Sequence, residues 1–210
     1  MGSKILLVEG PTDEHVLKHI CGSRGVPHLD KVRHHGGVQR LLESIPVQLK
    51  ALDEEDDVVG VVIDADEDLP DRWHSIRTVL VNSGYRNVPD QPRPDGTILD
   101  PPDGTLLPRA GIWIMPDNQI EGILETFLRL LIPQPNALFD YVQNSVANIP
   151  ASERRFRPAR EPKAIIHTWL AWQREPGMPP GMAITAHFLD ASVAEVDVLV
   201  SWLKRLFFSR

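Results

Sequence analysis

Cysteine is nearly absent: Cys21 is the single one in 210 residues, which excludes an internal disulfide and fits a reducing compartment. Cations are also in deficit, with 22 Lys and Arg against 29 Asp and Glu for a formal charge of −7. No global field then draws in nucleic acid. Such a role needs a local basic surface, or metal ions that bridge acidic side chains to phosphate. No stretch approaches the ~20 apolar residues that span a bilayer, and no basic flank with an apolar run marks a leader. These absences predict a soluble, cytoplasmic protein with no membrane partner. The apolar content of 42% excludes a disordered chain, and the length allows one domain or one domain with an appendage.

What is present is an alternation of strands and helices. Ile5 to Val8 is an all-apolar run, as in a strand covered on both faces. Val16, Leu17 and Ile20 follow at helical spacing, with Thr12 as the expected N-cap. Val32 lies in a short strand that ends at His34-His35-Gly36-Gly37. A second amphipathic helix carries Val38, Leu41, Leu42, Ile45, Leu49 and Leu52, and Pro46 should kink or restart it. VVGVVI, residues 58–63, is the clearest strand, and a helix over 69–83 follows it. This βαβαβα order predicts a mainly parallel sheet flanked by helices, with right-handed crossovers.

Residues 87–111 break the rhythm with many prolines and an echo, Asp95-Gly96-Thr97-Ile98-Leu99 and Asp103-Gly104-Thr105-Leu106-Leu107. Two short apolar runs around a Pro-Asp-Gly turn predict a β-hairpin inserted at the sheet edge. GIWIM, residues 111–115, is a further core strand. A helix through Ile120, Ile123, Leu124, Phe127, Leu128 and Leu131 follows it, with Asn118 and Glu121 spaced as a capping box. Helices are expected near 136–148, 162–174 and 192–208, with a stiff turn over 176–180. The division is therefore an α/β core over 1–134 and a helical extension over 135–210 packed on it.

The chemistry lies where strands run out. Glu9 ends the first strand, Asp64 and Asp66 end VVGVVI, and Asp117 follows GIWIM. In an open parallel sheet these ends line one crevice, the usual ligand site. The segment KILLVEGPTDEHVLKHI has a phosphate-loop position but an acidic turn and no phosphate-binding lysine. Two carboxylates ~4 Å apart repel by roughly 4 kcal/mol at an effective dielectric near 20, and one then takes up a proton. A hard divalent cation resolves the conflict. Mg²⁺ prefers a few carboxylate oxygens and keeps waters that phosphate oxygens can replace. On an extended Asp64-Ala65-Asp66 segment both carboxylates reach one ion.

LLVEG with Asp13, followed by VVIDADED, resembles the TOPRIM domain of bacterial primases, topoisomerases and nucleases of the overcoming-lysogenization-defect type. IWIMPDNQIEGILETFL further resembles a small family of stand-alone TOPRIM-like bacterial proteins. The resemblance implies a TOPRIM, Rossmann-like fold and Mg²⁺- or Mn²⁺-dependent phosphodiester chemistry on nucleic acid, as in a DNA nuclease. It assigns Glu9 as general acid/base, Asp64 and Asp66 as metal ligands, Asp13 and Glu125 as further ligands, and Lys163 as the group that neutralises transition-state charge. Nucleases of this type carry an ATPase, so an ATPase partner protein is a second expectation, together with the alternative of an idle TOPRIM scaffold; self-association is open. VVIDADED also resembles the motif of haloacid-dehalogenase phosphatases, in which Asp64 would be the nucleophile and Glu9 would have no role.

Other residues divide between binding and structure. His34 and His35 end a strand near the crevice and can contact phosphate, and Arg154, Arg155 and Arg157, with Arg160 and Lys163, form the densest basic run, a candidate for nucleic-acid backbone. His15 and His19 have zinc-like spacing but no evident third ligand. Asp68 is a helix cap, and Trp169, Trp172 and Trp202 fall in core stripes.

Overall fold

A computed structural model describes residues 2–209 apart from Asp53 and Glu55. Its strands are β1 (Lys4–Val8), β2 (Lys31–His34), β3 (Val58–Asp64), β4 (Thr97–Leu99) and β5 (Arg109–Met115). They form one five-stranded sheet in the order β2-β1-β3-β5-β4, parallel except for β4. Leu7 is in register with Val61, and Val61 with Ile112, so apolar rows cross the sheet. Around it lie eight helices among the described residues: α1 (Pro11–Ser23), α2 (Val38–Ala51), α3 (Leu69–Asn82), α4 (Leu124–Leu130), α5 (Ala137–Ala147), α6 (Glu161–Ala171), α7 (Pro180–Thr185) and α8 (Ala194–Phe208). The α/β expectation holds, with helices on both faces. No helix among the described residues is long and apolar enough to cross a membrane.

Alternate side chains of each apolar run serve opposite faces. Ile5, Leu7, Val59, Val61, Ile63, Ile112 and Ile114 pack with α2 and α3. Leu6, Val8, Val62, Trp113 and Met115 pack with α1 and the helices of the C-terminal third. Each such side chain taken fully out of water contributes about 1.5–3 kcal/mol. Gly60 and Gly111 face each other in register, and there α8 lies closest to the sheet. A β-carbon on Gly111 would stand 2.4 Å from Leu206 Cδ2, and one on Gly60 would stand 2.9 Å from Phe207 Cζ. Two glycines thus let the last helix close this face.

Several local expectations are corrected. Gly10, not Thr12, caps α1, and Pro11 occupies the first turn, where its missing N–H costs nothing. α2 passes through Pro46 without a break. The echo in 87–111 is not a self-contained hairpin: Thr97–Leu99 pairs antiparallel with Gly111-flanking residues of β5, while residues 105–107 form no strand. α4 begins at Leu124 rather than near Asn118. The Asp117 carboxylate accepts N–H bonds from Gln119 and Ile120, and Asn118 takes a positive φ of 65° while its buried side chain accepts from Ile114 N. This turn competes with helix and delays it. The stiff turn after residue 176 leads into the short α7.

Candidate active site at the switch point

From β1 the chain moves out to β2, then returns past β1 to β3 and on toward β5. The switch in direction between β1 and β3 lies at their carboxyl ends, where an open α/β sheet places its ligand site. Glu9 directly follows β1, and Asp64 is the last residue of β3. A Glu9 carboxylate oxygen accepts the Asp64 backbone N–H at 2.8 Å. The Glu9 carbonyl accepts N–H bonds from Gly36 and Gly37 at 2.8 and 2.9 Å. Glu9 is therefore held by both its main chain and its side chain. Asp64 in turn accepts the Leu124 N–H, at the start of α4, at 2.8 Å.

Asp13, in the first turn of α1, completes this side. It is 8% exposed, its Oδ2 accepts the Gly10 N–H at 3.2 Å, and its Oδ1 is buried without a hydrogen-bond partner. A buried, unsatisfied carboxylate oxygen is costly unless something positive meets it. The acids respond in the same direction. Burial, then repulsion from Glu9, Asp13, Glu125 and Asp66, raises the Asp64 pKa well above the carboxylate range. Burial pushes Glu9 up to about 7 against the Asp64 N–H bond, with Asp13 and Asp66 adding to the rise. Burial, reinforced by Glu125, brings Asp13 to about 6.

Asp66 departs from the expected extended segment. Its φ of 58° lies in the left-handed region, and its backbone exchanges reciprocal hydrogen bonds with Gly122 at 2.8 and 2.9 Å. Asp tolerates this conformation because its short side chain bonds locally. Here the carboxylate pairs with Arg72 at 2.8 Å, and Arg72 Nε also donates to the Asp64 carbonyl at 2.8 Å. Asp64 and Asp66 thus sit on a turn, with one cation already on Asp66.

Glu125 closes the site from α4. It is 3% exposed, and its Oε1 faces Lys163 Nζ at 3.2 Å and His167 Nε2 at 3.7 Å, both on α6. Burial alone would raise its pKa, but the His167 hydrogen bond and the Lys163 charge bring it below the ordinary value. Lys163 also lowers Asp13. The structure thus gathers Glu9, Asp13, Asp64, Asp66, Glu125 and Lys163 into one electrostatically linked group, although Lys163 is far away in sequence.

The remaining candidates lie outside it. Asp117 is used in its turn. His34 is exposed at the end of β2, its N–H donating to Glu14. His35 turns toward α2 and lies 3.4 Å from Ser44 Oγ. Arg154 stacks over Phe156, Arg155 pairs with Glu153, and Arg157 is an exposed residue leading into α6. His15 and His19 bond to each other at 3.0 Å, and His19 meets Thr185 at 2.6 Å. Asp68 caps α3 through the Asp71 N–H, as expected. Trp169 and Trp202 are core, but Trp172 is 44% exposed beside Tyr141, because it lies past the last turn of α6. The sequence reading missed Arg72 and His167. His167 had a usable signal, four residues after Lys163 on one helix face.

Among the described residues, no three His, Cys, Asp or Glu side chains stand together as an ion-binding group. Glu9, Asp64 and Asp66 are turned to N–H and guanidinium donors instead. The donor set still fits Mg²⁺ or Mn²⁺: it is all oxygen, and Asp13 Oδ1 has no partner.

Fold and site together define an α/β domain with a mainly parallel sheet and an acidic crest at its switch point. The chain belongs to the family described as a protein of unknown function, DUF3226, whose family model matches residues 3–208. No curated protein and no solved structure matches it.

Proposed function

We propose that the chain is a TOPRIM-like, Mg²⁺- or Mn²⁺-dependent enzyme of phosphodiester chemistry on nucleic acid, in the manner of a DNA nuclease. The observation that carries this reading is the electrostatic coupling of Glu9, Asp13 and Asp64, each with a raised proton affinity, together with the buried, unpartnered Asp13 Oδ1. Charge repulsion of this kind is relieved by a cation. Asp13, Asp64 and, once released from Arg72, Asp66 would hold the ion. Bound there, it would supply Lewis-acid polarisation of phosphate and a more acidic water. Glu9, with a pKa of about 7, suits proton transfer near neutrality. Lys163 stands beside the carboxylates as compensating charge for an anionic transition state.

The test pairs calorimetric Mn²⁺ titration with nicking of supercoiled plasmid in Mg²⁺ and Mn²⁺. Asp64→Asn and Glu9→Gln should each reduce nicking by on the order of 100-fold or more. Asp64→Asn, but not Glu9→Gln, should also weaken Mn²⁺ binding. A wild-type chain that binds no divalent ion refutes the reading.

One observation favours a second reading, a TOPRIM scaffold that is idle until it joins a partner ATPase. Arg72 occupies Asp66 and braces the Asp64 carbonyl, an arrangement that keeps the second aspartate from an ion. Tight Mn²⁺ binding without nicking, in wild type and in Arg72→Ala alike, would select it. A phosphoenzyme trapped on Asp64 would instead select the aspartate-nucleophile phosphatase.

A further inference from the structure

Two cations act on the carboxylate group, and they differ in spare bonding capacity. Arg72 is committed twice, to the Asp64 carbonyl and the Asp66 carboxylate. Lys163 meets Glu125 Oε1 alone, at 3.2 Å, which leaves two ammonium N–H donors unused. His167, one turn further along α6, meets the same oxygen at 3.7 Å, so its other ring nitrogen is free of that contact. The two side chains are 49% and 48% exposed, while the Glu125 side chain beneath them is 4% exposed. A buried carboxylate thus holds two solvent-facing nitrogen groups side by side at the rim of the acidic crest.

We propose that Glu125 is the anchor of a phosphate seat formed by Lys163 and His167, rather than a ligand for the ion. Its single shared oxygen lines up the two donors four residues apart on one helix face, and the ammonium's spare N–H groups with the ring's free nitrogen take a phosphoryl group. The proton balance is simple. The ring takes one proton from solvent as the phosphoryl group binds, so that it donates from both nitrogens, one to Glu125 and one to a phosphoryl oxygen. A phosphodiester, which has no proton to give, is seated in the same way. Glu125 needs no ion, because its charge is already met by Lys163. Asp13 and Asp64, without such a partner, are the groups that do. In this respect Glu125 departs from the ligand role that the TOPRIM resemblance gives it. The proposal takes its ligand class from the phosphodiester reading, but its geometry stands apart from any metal.

Calorimetry with two probes, Mn²⁺ and inorganic phosphate, tests it on the full chain, phosphate being titrated both with and without Mn²⁺. Glu125→Gln should keep Mn²⁺ affinity within about twofold of wild type, whereas Asp64→Asn should lose about tenfold or more. Lys163→Gln and His167→Gln should each weaken phosphate by about tenfold, and Lys163→Arg should retain it. Both side chains are half exposed, so these variants fold. The proposal is overturned if Glu125→Gln loses as much Mn²⁺ affinity as Asp64→Asn, if phosphate binding is unchanged in Lys163→Gln and His167→Gln, or if wild type binds phosphate under neither condition. A wild type that binds no Mn²⁺ removes the functional reading instead, and the metal-free phosphate titration then decides the seat.

Discussion

The two flanks of the switch point each hold a buried acid, in opposite electrostatic conditions. On the β1/β3 side, Asp13 is 8% exposed and its proton affinity is raised; on the α4/α6 side, Glu125 is 3% exposed and its proton affinity is lowered. Burial pushes both upward. The sign is set by company: Glu125 has Lys163 and His167 in contact, while Asp13 has only its own and the Gly10 backbone N–H, the repulsion of Glu125 and the weaker, more distant pull of Lys163. A buried carboxylate in contact with cations is held ionised, and one without such contacts holds its proton more tightly.

The largest expected consequence is a stability that declines with pH in metal-free buffer. Glu9 binds its proton up to about pH 7 when folded but only near 4.5 otherwise, and Asp13 shows the same pattern from 3.8 to about 6. Between those values the folded chain holds more protons than the unfolded one. The stabilisation is full in acid and is lost as pH rises through the folded pKa values. Urea unfolding should show a fall of roughly 3 kcal/mol from about pH 5 to about pH 8. A rise over that range would break the contrast between the flanks.

Next in size is a variant that stabilises. Glu9→Gln keeps an oxygen to accept the Asp64 N–H and removes the charge, so at pH 8 it should raise unfolding free energy by about 1–2 kcal/mol and flatten the pH slope. Glu125→Gln should do the opposite, lowering stability by about 1 kcal/mol, since it weakens two charge-assisted contacts that half-exposed partners partly replace with water. NMR titration of Asp13 in that variant should show a lower pKa, because a repelling neighbour is gone. The smallest effect belongs to Asp68→Ala, which removes the α3 cap. It should cost about 1 kcal/mol or less and leave the pH slope untouched, providing the control for the other three.

How far the sequence foretold this depends on how local the determinants are. Ile5–Val8 and residues 58–63 announce doubly covered strands, and their ends place Glu9 and Asp64 at one crevice. Asp68 as a cap is equally local. Failures occur where a distant partner overrides pattern. Ile120 and Ile123 lie in helical phase, but Asp117, Asn118 and the Asp66–Gly122 bonds hold that segment as a turn. Leu106 and Leu107 suggested a hairpin strand, yet Leu99 found its partner in β5, the longer strand with an open edge. Arg72 was hidden for a different reason: its reach back to Asp64 and Asp66 depends on the left-handed turn at Asp66, which helical spacing does not reveal.

The two bonds between Asp66 and Gly122 act as a rivet. They fasten the tip of β3 to the leader of α4, and Asp64 adds a third fastening at Leu124. Gly122 has a φ of 146°, and a β-carbon there would stand 2.9 Å from Thr126 Oγ1, so this join tolerates little change. The turn that carries the aspartates and the start of the helix that carries Glu125 are therefore joined directly.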